Sequence, residues 1–528
     1  MAEAVIEERQ LLKSLHWYDG FVIGLCNPGF LVANLGFVLA TVGPTGAIYL
    51  WGIAAFIGLL QNWIYSESAA MFPDKPGGIS LYAYEGWRKY FNLFGPIAAF
   101  GYWIGWSVVL SINGYLIGGL ICAQWFPHAL VGGVSPSADG GYFSLGPVDI
   151  GAPHLIGIGL IIIVWLFNVF GVRPSLWVGY ATGVLLLIPL LIFIVLPYFT
   201  GDWHSSNITY QHVANPNGGN FSNLSVALMW LFIMGWSAYG VEICASFAPE
   251  YHDTRRDTSL ALRSTAAFSL FVFIFLPLGL GGVVGTHGDY GPYYVAAFKT
   301  VVGPGLGGLA VVLLISSLIL SMNSATADGG RVLYGIARDD MTIKGLFHLN
   351  RFHVPARAMA VDMVVNILLI LFVGNNLAIL YMSNIGYIFA HVLALSAFLL
   401  LRKDRPNWPR LIKLGPAWPI VAGILCALNF VFLVWGITQR DLAATLGGYT
   451  TSGYPFYIGI GILVASVLLY FYRRGVQDRL PSPAPCRYDS RVVLPDHPNR
   501  CLEDRCPKRC GGPNPSGDLA TSGIPSGS

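Results

Sequence analysis

Runs of about twenty consecutive apolar residues recur along this chain from Trp17 to Tyr472, and they leave few folds open. A helix of that length crosses roughly 30 Å of hydrocarbon, where every backbone N–H and C=O must be satisfied within the protein. The runs are continuous and do not alternate, which favours helices over barrel strands. About twelve spans are expected. They cover 18–40, 46–70, 94–124, 154–171, 176–199, 223–247, 262–286, 304–335, 358–374, 377–400, 417–437 and 455–472. Composition agrees: 55% of residues are hydrophobic and 11% charged, against about 25% charged in soluble proteins. The fold class is therefore all-α and polytopic.

Basic residues fix the expected orientation. With residues 1–16 in the cytoplasm, only Lys299 and Arg440 of the chain's 30 Lys and Arg fall in outer loops. Arg88 and Lys89, Arg255 and Arg256, and Arg402, Lys403 and Arg405 mark successive inner loops. This is the positive-inside pattern. It makes the basic residues topology determinants, with no nucleic-acid surface among them. The first apolar stretch lacks a cleavage site and reads as a retained signal anchor in a cell membrane. Residues 473–528 are rich in Pro, Gly, Ser and charge and read as a disordered cytoplasmic tail. Cys486, Cys501, Cys506 and Cys510 lie there without a familiar zinc spacing, so no metal site is expected.

The first five spans end near Phe199 and the next five run from Asn223 to Leu401. Five is odd, so the second set enters the membrane in the opposite sense. Spans one and six, its counterpart, both carry interruptions: Gly24-Leu-Cys-Asn-Pro-Gly29 and Ser237-Ala-Tyr-Gly-Val-Glu242. A single Gly or Pro in a membrane helix is only a kink. Interruptions at matching places in two halves point to a transporter site.

No phosphate-binding GxxxxGK[ST], HExxH or GxSxG motif is present, and nothing favours an enzyme or a cofactor. Glu242 is an acid inside a span, which costs about 2.5–3.5 kcal/mol at a helix centre. It reads either as a coupling or gating group or as a hydrogen-bond anchor for the break. Trp236 and Tyr239 flank that break. Their rings suit an amine cation, and equally suit helix packing. Ser321 and Ser324 belong to a polar stripe on span eight that suits either a sodium site or helix–helix contact. Glu67 reads as a helix-end acid near water, Asp328 and Arg331 as an i,i+3 pair, and His391 as a packed histidine.

Three stretches in order resemble the amino acid–polyamine–organocation superfamily of transporters. They are SESAAMFPDKPGGISLYAYE (66–85), WSAYGVEICASFAPEYHDTRRD (236–257) and SMNSATADGGRVLYGIARDDM (321–341). The resemblance covers roughly residues 17–472. It implies a LeuT-type fold: an inverted repeat of about 17–199 and 223–401, with two extra helices at 417–472. It also implies ATP-independent alternating access for an amino acid or related amine, coupled to H+ or Na+. Carried over, substrate would meet Asn27, Pro28 and Gly29 at one break and Ala238, Tyr239 and Gly240 at the other. Trp236 matches an aromatic gate, and Glu242 an acid linked to proton sensing. The family usually has Gly-Ser-Gly-like residues where this chain has Asn27-Pro28-Gly29. Pro28 has no N–H for an α-carboxylate, which keeps a polyamine or choline-like cation as the alternative, alongside a sensor that binds without transport. Span five, at 176–199, has no lysine of the kind that mimics sodium in some members.

Overall fold

The structure, a computed structural model, describes residues 11–73, 75–126, 143–145, 148–209, 221–285, 293–410, 412–449 and 453–479. The chain begins with α1 (Trp17–Gly24), α2 (Cys26–Met71), α3 (Gly78–Trp87), α4 (Phe94–Ser107), α5 (Val109–Trp125), α6 (Ala152–Val169) and α7 (Val172–Val195). A short antiparallel hairpin, β1 (Phe143–Leu145) with β2 (Val148–Ile150), precedes α6. The turn α8 (Pro197–Thr200) leads to α9 (Asn223–Ala238), a 3₁₀ run over Gly240–Glu250, and α10 (Thr254–Val284). Then follow α11 (Tyr293–Val302), α12 (Gly307–Arg338), α13 (Ala356–Phe372), α14 (Asn376–Asp404), α15 (Trp418–Thr438), α16 (Arg440–Gly447) and α17 (Gly453–Tyr472).

Among the described residues, ten helices are long and apolar enough to cross a membrane. Two of the twelve expected spans fall short of that length for local reasons. The first is divided at Leu25, and α13 has 17 residues. α2 joins the end of span one to span two, and only Gly43 leaves helical geometry, at φ 70° and ψ 172°. A side chain there would be strained, and Pro44 removes a donor just beyond it, so the turn is fixed by two adjacent residues.

Local chemistry starts the spans where the pattern does. Ser222, Asp253 and Asn375 accept from the N–H of Ser225 (3.2 Å), Arg256 (3.3 Å) and Ala378 (2.9 Å), capping α9, α10 and α14. α10 packs along α2, and α14 lies against α3, α4 and α15. α7, α15 and α17 form an outer layer whose Trp177, Leu191, Ile420 and Leu468 face outward, the placement lipid tails favour.

Two charge clusters tie the ends of α2, α3, α12 and α14 together. Glu67 is fully buried. It accepts from Arg402 at 2.6 and 3.1 Å, from Arg410 at 2.7 Å and from the Leu414 N–H at 2.8 Å. The expectation of a water-exposed acid is thus corrected: the segment after α14 folds back and brings two guanidinium groups onto it. Glu85, on α3, meets Lys75 at 2.9 Å, Arg405 at 2.9 Å and Arg88 at 3.2 Å. Lys75 also reaches Asp339 at 3.2 Å. Burial pushes the Glu85 carboxyl up, but Arg88, Lys75 and Arg405 outweigh it and bring it down to about 2. Its contribution to stability is therefore complete above its ordinary value of about 4.5 and fades only as pH falls toward about 2. Glu85→Gln is expected to cost about 3–5 kcal/mol, because it strands buried cations. Thermal unfolding in detergent checks this: a midpoint unchanged from wild type would show that the cluster contributes nothing.

The order extends past Tyr472, so the tail does not begin at residue 473. Arg473 donates to Asp478 at 2.8 Å and to the Thr342 carbonyl at 3.3 Å, and pairs with Asp340. Lys344 meets Asp478 at 2.8 Å. Basic residues that read as tail charge are used to fasten the loop after α12. The four tail cysteines lie outside the described residues.

Candidate substrate site

Within the stretch Gly24–Gly29 singled out in the sequence, span one changes its hydrogen bonding only at Leu25 and is not unwound. Leu25 keeps helical dihedrals (φ −61°, ψ −14°), and its N–H bonds to Phe21 and Val22 carbonyls. Asn27, Pro28 and Gly29 lie in the first turn of α2. Pro28 costs little there, because first-turn N–H groups lack helical partners in any case. Span six changes winding at Tyr239: α9 ends at Ala238, and Gly240–Glu250 continues as 3₁₀ helix. Such runs seldom exceed three or four residues, so an eleven-residue one marks a constrained segment.

The two interruptions face each other. A Cβ on Gly240 would stand 2.4 Å from Asn27 Oδ1 and 3.0 Å from Trp106 Cζ2. Asn27 is fully buried, and neither atom of its amide has a hydrogen-bond partner. Further along, Cys244 Sγ donates to the Gly20 carbonyl at 3.0 Å, and Ser14 and Leu15 N–H groups both reach the Glu250 carbonyl at 2.9 Å. Span one and the 3₁₀ run are thus laced together along their length.

Glu242 sits two residues beyond this contact on the 3₁₀ run and is fully buried. Its Oε1 accepts from Trp106 Nε1 at 3.1 Å and from the Tyr387 hydroxyl, and His391 Nε2 stands 4.0 Å away. His391 Nδ1 is 2.9 Å from the Tyr65 hydroxyl. The other oxygen, Oε2, has no partner. The acid therefore anchors α4, α14 and span six at once, and keeps one buried acceptor free two residues from Gly240. Both sequence readings of Glu242 fit this geometry.

Trp236 lies one turn before the change of winding. Its Nε1 donates to the Gly105 carbonyl of α4 at 2.5 Å. It lines a cavity with Trp51, Trp230, Ser237 and Leu380, on the α9 side of the Asn27–Gly240 contact. Ala238 and Tyr239 are placed otherwise than expected. A Cβ at Gly58 would come 2.3 Å from the Ala238 carbonyl, and Asn62 Nδ2 donates to the Tyr239 carbonyl at 3.3 Å. Both carbonyls thus face the Gly58–Asn62 stretch of span two. The Tyr239 ring packs against His391 with centroids 5.2 Å apart, and its hydroxyl has no partner.

Ser321 Oγ donates to the Cys26 carbonyl at 3.0 Å, and Ser324 Oγ to the Ile23 carbonyl at 3.3 Å. The two serines thus bracket Leu25 with two carbonyls, four oxygens of the kind that hold a hard cation. The same bonds also fasten α12 to span one. The Asp328–Arg331 pair is corrected. Arg331 pairs bidentately with Glu250, its Nη2 at 2.9 Å from Oε2, and stacks 4.2 Å from the Phe247 centroid. Span six brings a carboxylate to the guanidinium that local spacing could not reveal.

Several contributors were not singled out. Trp106 and Tyr387 read in the sequence as aromatics whose faces could cradle an amine, and their hydrogen bonds to Glu242 were not foreseen. Tyr65, Gly58 and the Gln61-Asn62 pair had a usable signal, being polar or small residues inside an apolar run.

A family model described as amino acid permease matches residues 20–473. The amino-acid permease RocE of Bacillus subtilis (strain 168) is 23% identical over 450 residues, spanning 81% of this chain and 89% of that protein. The human large neutral amino acids transporter small subunit 2 is 24% identical over 434 residues, spanning 79% and 74%. The D-serine/D-alanine/glycine transporter of Escherichia coli (strain K12) is 20% identical over 366 residues, spanning 66% and 73%. These relatives are permeases and transporters, not enzymes. With its polytopic helical fold and a match over most of its length, the chain belongs to the amino acid permease family of the amino acid–polyamine–organocation superfamily.

Proposed function

We propose that the protein is a secondary active transporter that moves an amino acid or related organic amine across the cell membrane by alternating access, without ATP. The observation that carries this reading is the meeting of Asn27 with Gly240, where span one and the rewound span six leave buried polar atoms without partners. Burying an amide unpaired costs several tenths to a few kcal/mol. A solute that satisfies the Asn27 amide and Glu242 Oε2 recovers that cost, which makes binding favourable at this place. Trp236 closes the site on the α9 side, and the Arg331–Glu250 pair closes it on the other. The solute leaves when one closure opens and the other holds.

Two couplings suit the same frame. Glu242 exchanges a proton as the solute arrives and leaves, or Na+ takes the four oxygens around Leu25 and releases the serine bonds to span one. The unpartnered Oε2 favours the proton. The alternatives in solute are a polyamine or choline-like cation, and the alternative in class is a sensor on a transporter scaffold.

Counterflow separates these. Purified protein in liposomes loaded with an unlabelled candidate solute should draw the labelled solute inward transiently, above its outside level. Binding of the solute without any counterflow identifies a sensor.

A further inference from the structure

Asp328 lies on α12 one turn beyond Ser324, and it is fully buried. Local spacing offers Arg331 as its counter-charge, but that guanidinium is spent. Two of its nitrogens go to Glu250, Nη1 donates to the Ala327 carbonyl at 2.7 Å, and its face lies on Phe247. Arg331 still acts on Asp328 at a distance, but among the described residues no cation forms an ion pair with the acid. From α4, the Tyr102 hydroxyl donates to it at 3.4 Å, and from the 3₁₀ run the Ser246 hydroxyl stands beside it. Asp362 faces it from α13, and Glu242, Cys244 and Cys26 face it from spans six and one.

Asp328 and Glu242 share one aromatic platform. The rings of Tyr102 and Tyr387 lie 6.1 Å apart at 31°, and their hydroxyls bond to Asp328 and to Glu242 respectively. Glu242 and Ser246 are one helical turn apart on the same run, so the two acids stand at successive levels, beginning at the Asn27–Gly240 contact. The Asn27 amide, Glu242 Oε2 and Asp328 Oδ2 are all buried here without hydrogen-bond partners. A carboxyl in a low-dielectric site either keeps a proton or ionises against a positive partner, and the protein's own cation at this level is already paired with Glu250, which leaves that place to a guest. Tyr and Trp faces around the acids add cation–π attraction for such a guest.

We propose that the site selects a solute with a positive charge beyond that of an ordinary zwitterion, a cationic amino acid or a diamine. One amine lies at Glu242 and Asn27, and the distal cation lies at Asp328 against Tyr102. A neutral amino acid would leave Asp328 uncompensated, and an acidic one would add a further like charge. The inference deepens the transporter reading above in naming the charge class, yet binding alone can test it.

The full-length protein is tested at neutral pH by ligand-induced thermal shift and by counterflow in liposomes. The probes are L-lysine, putrescine, L-leucine and L-glutamate. Lysine or putrescine is expected to bind at least about tenfold more tightly than leucine, with glutamate weakest. Asp328→Asn should narrow the preference for lysine over leucine by about tenfold, and Tyr102→Phe should narrow it less. The comparison among probes on the wild-type protein needs no variant to fold. Leucine binding as tightly as lysine overturns the charge assignment and leaves the transporter reading standing. Lysine bound without counterflow overturns the transporter reading and supports the charge assignment. An unchanged preference in both variants overturns the placement of the distal cation at Asp328. Failure of all four probes to bind overturns the assignment as well.

Discussion

Gly240→Ala is expected to yield a protein that folds and inserts but binds its solute at least about tenfold more weakly. The added methyl would stand 2.4 Å from Asn27 Oδ1 and 3.0 Å from Trp106. Asn27 has no hydrogen bond to hold it, so its amide turns aside at little cost to the fold. The turned amide no longer meets a solute lying between spans one and six. Solute-induced thermal shift checks this, with the unliganded unfolding midpoint as control. A variant that binds like wild type would place the solute elsewhere. The contrast with Gly58 is instructive. A Cβ there would meet the Ala238 carbonyl at 2.3 Å, a backbone atom that cannot turn away, and loss of folded protein is the expected outcome of that change.

Glu242→Gln is expected to separate binding from energy coupling. The amide keeps the size of the carboxyl and can still accept from Trp106 and Tyr387, but it cannot carry a proton. Counterflow, which needs no gradient, should persist. Accumulation driven by an imposed pH gradient should fall to the level of empty liposomes, and the pH dependence of uptake should flatten. Accumulation and pH profile both equal to wild type would remove Glu242 from coupling and leave it the structural anchor of α4 and α14. Sodium-dependent uptake surviving in this variant, and lost in Ser321→Ala with Ser324→Ala, would move the coupling to the four oxygens around Leu25.

Much of the fold was legible because membrane insertion is governed by local quantities. Apolar length placed the spans, and the gap between residues 40 and 46 left room for the turn at Gly43-Pro44, while the caps Ser222, Asp253 and Asn375 were not singled out. The interruption of span six was legible for the same reason, since Gly240 follows Tyr239 in an otherwise helical run. Span one was harder. Gly24–Gly29 looks like a break, but proline and glycine are tolerated in a first turn, and within that stretch only Leu25 departs from regular hydrogen bonding while keeping helical dihedrals.

Partners brought from afar were not legible. Arg331 has Asp328 three residues away and Glu250 across the bundle, and it takes the distant one. Glu67 looked exposed because Arg402 and Arg410 lie more than three hundred residues further on. Ala238 and Tyr239 were expected to offer carbonyls to a solute. Gly58 and Asn62 take that face because a glycine lets α2 approach closely. In each case chain spacing set the options, and packing between spans chose among them.

A map of the protein bound to whichever solute shows counterflow tests the central claim most directly. Its density should touch the Asn27 amide, the Gly240 backbone and Glu242, with Trp236 between it and the cavity lined by Trp51 and Trp230. Density confined to another cavity, with Asn27 still packed on Gly240, would contradict the account.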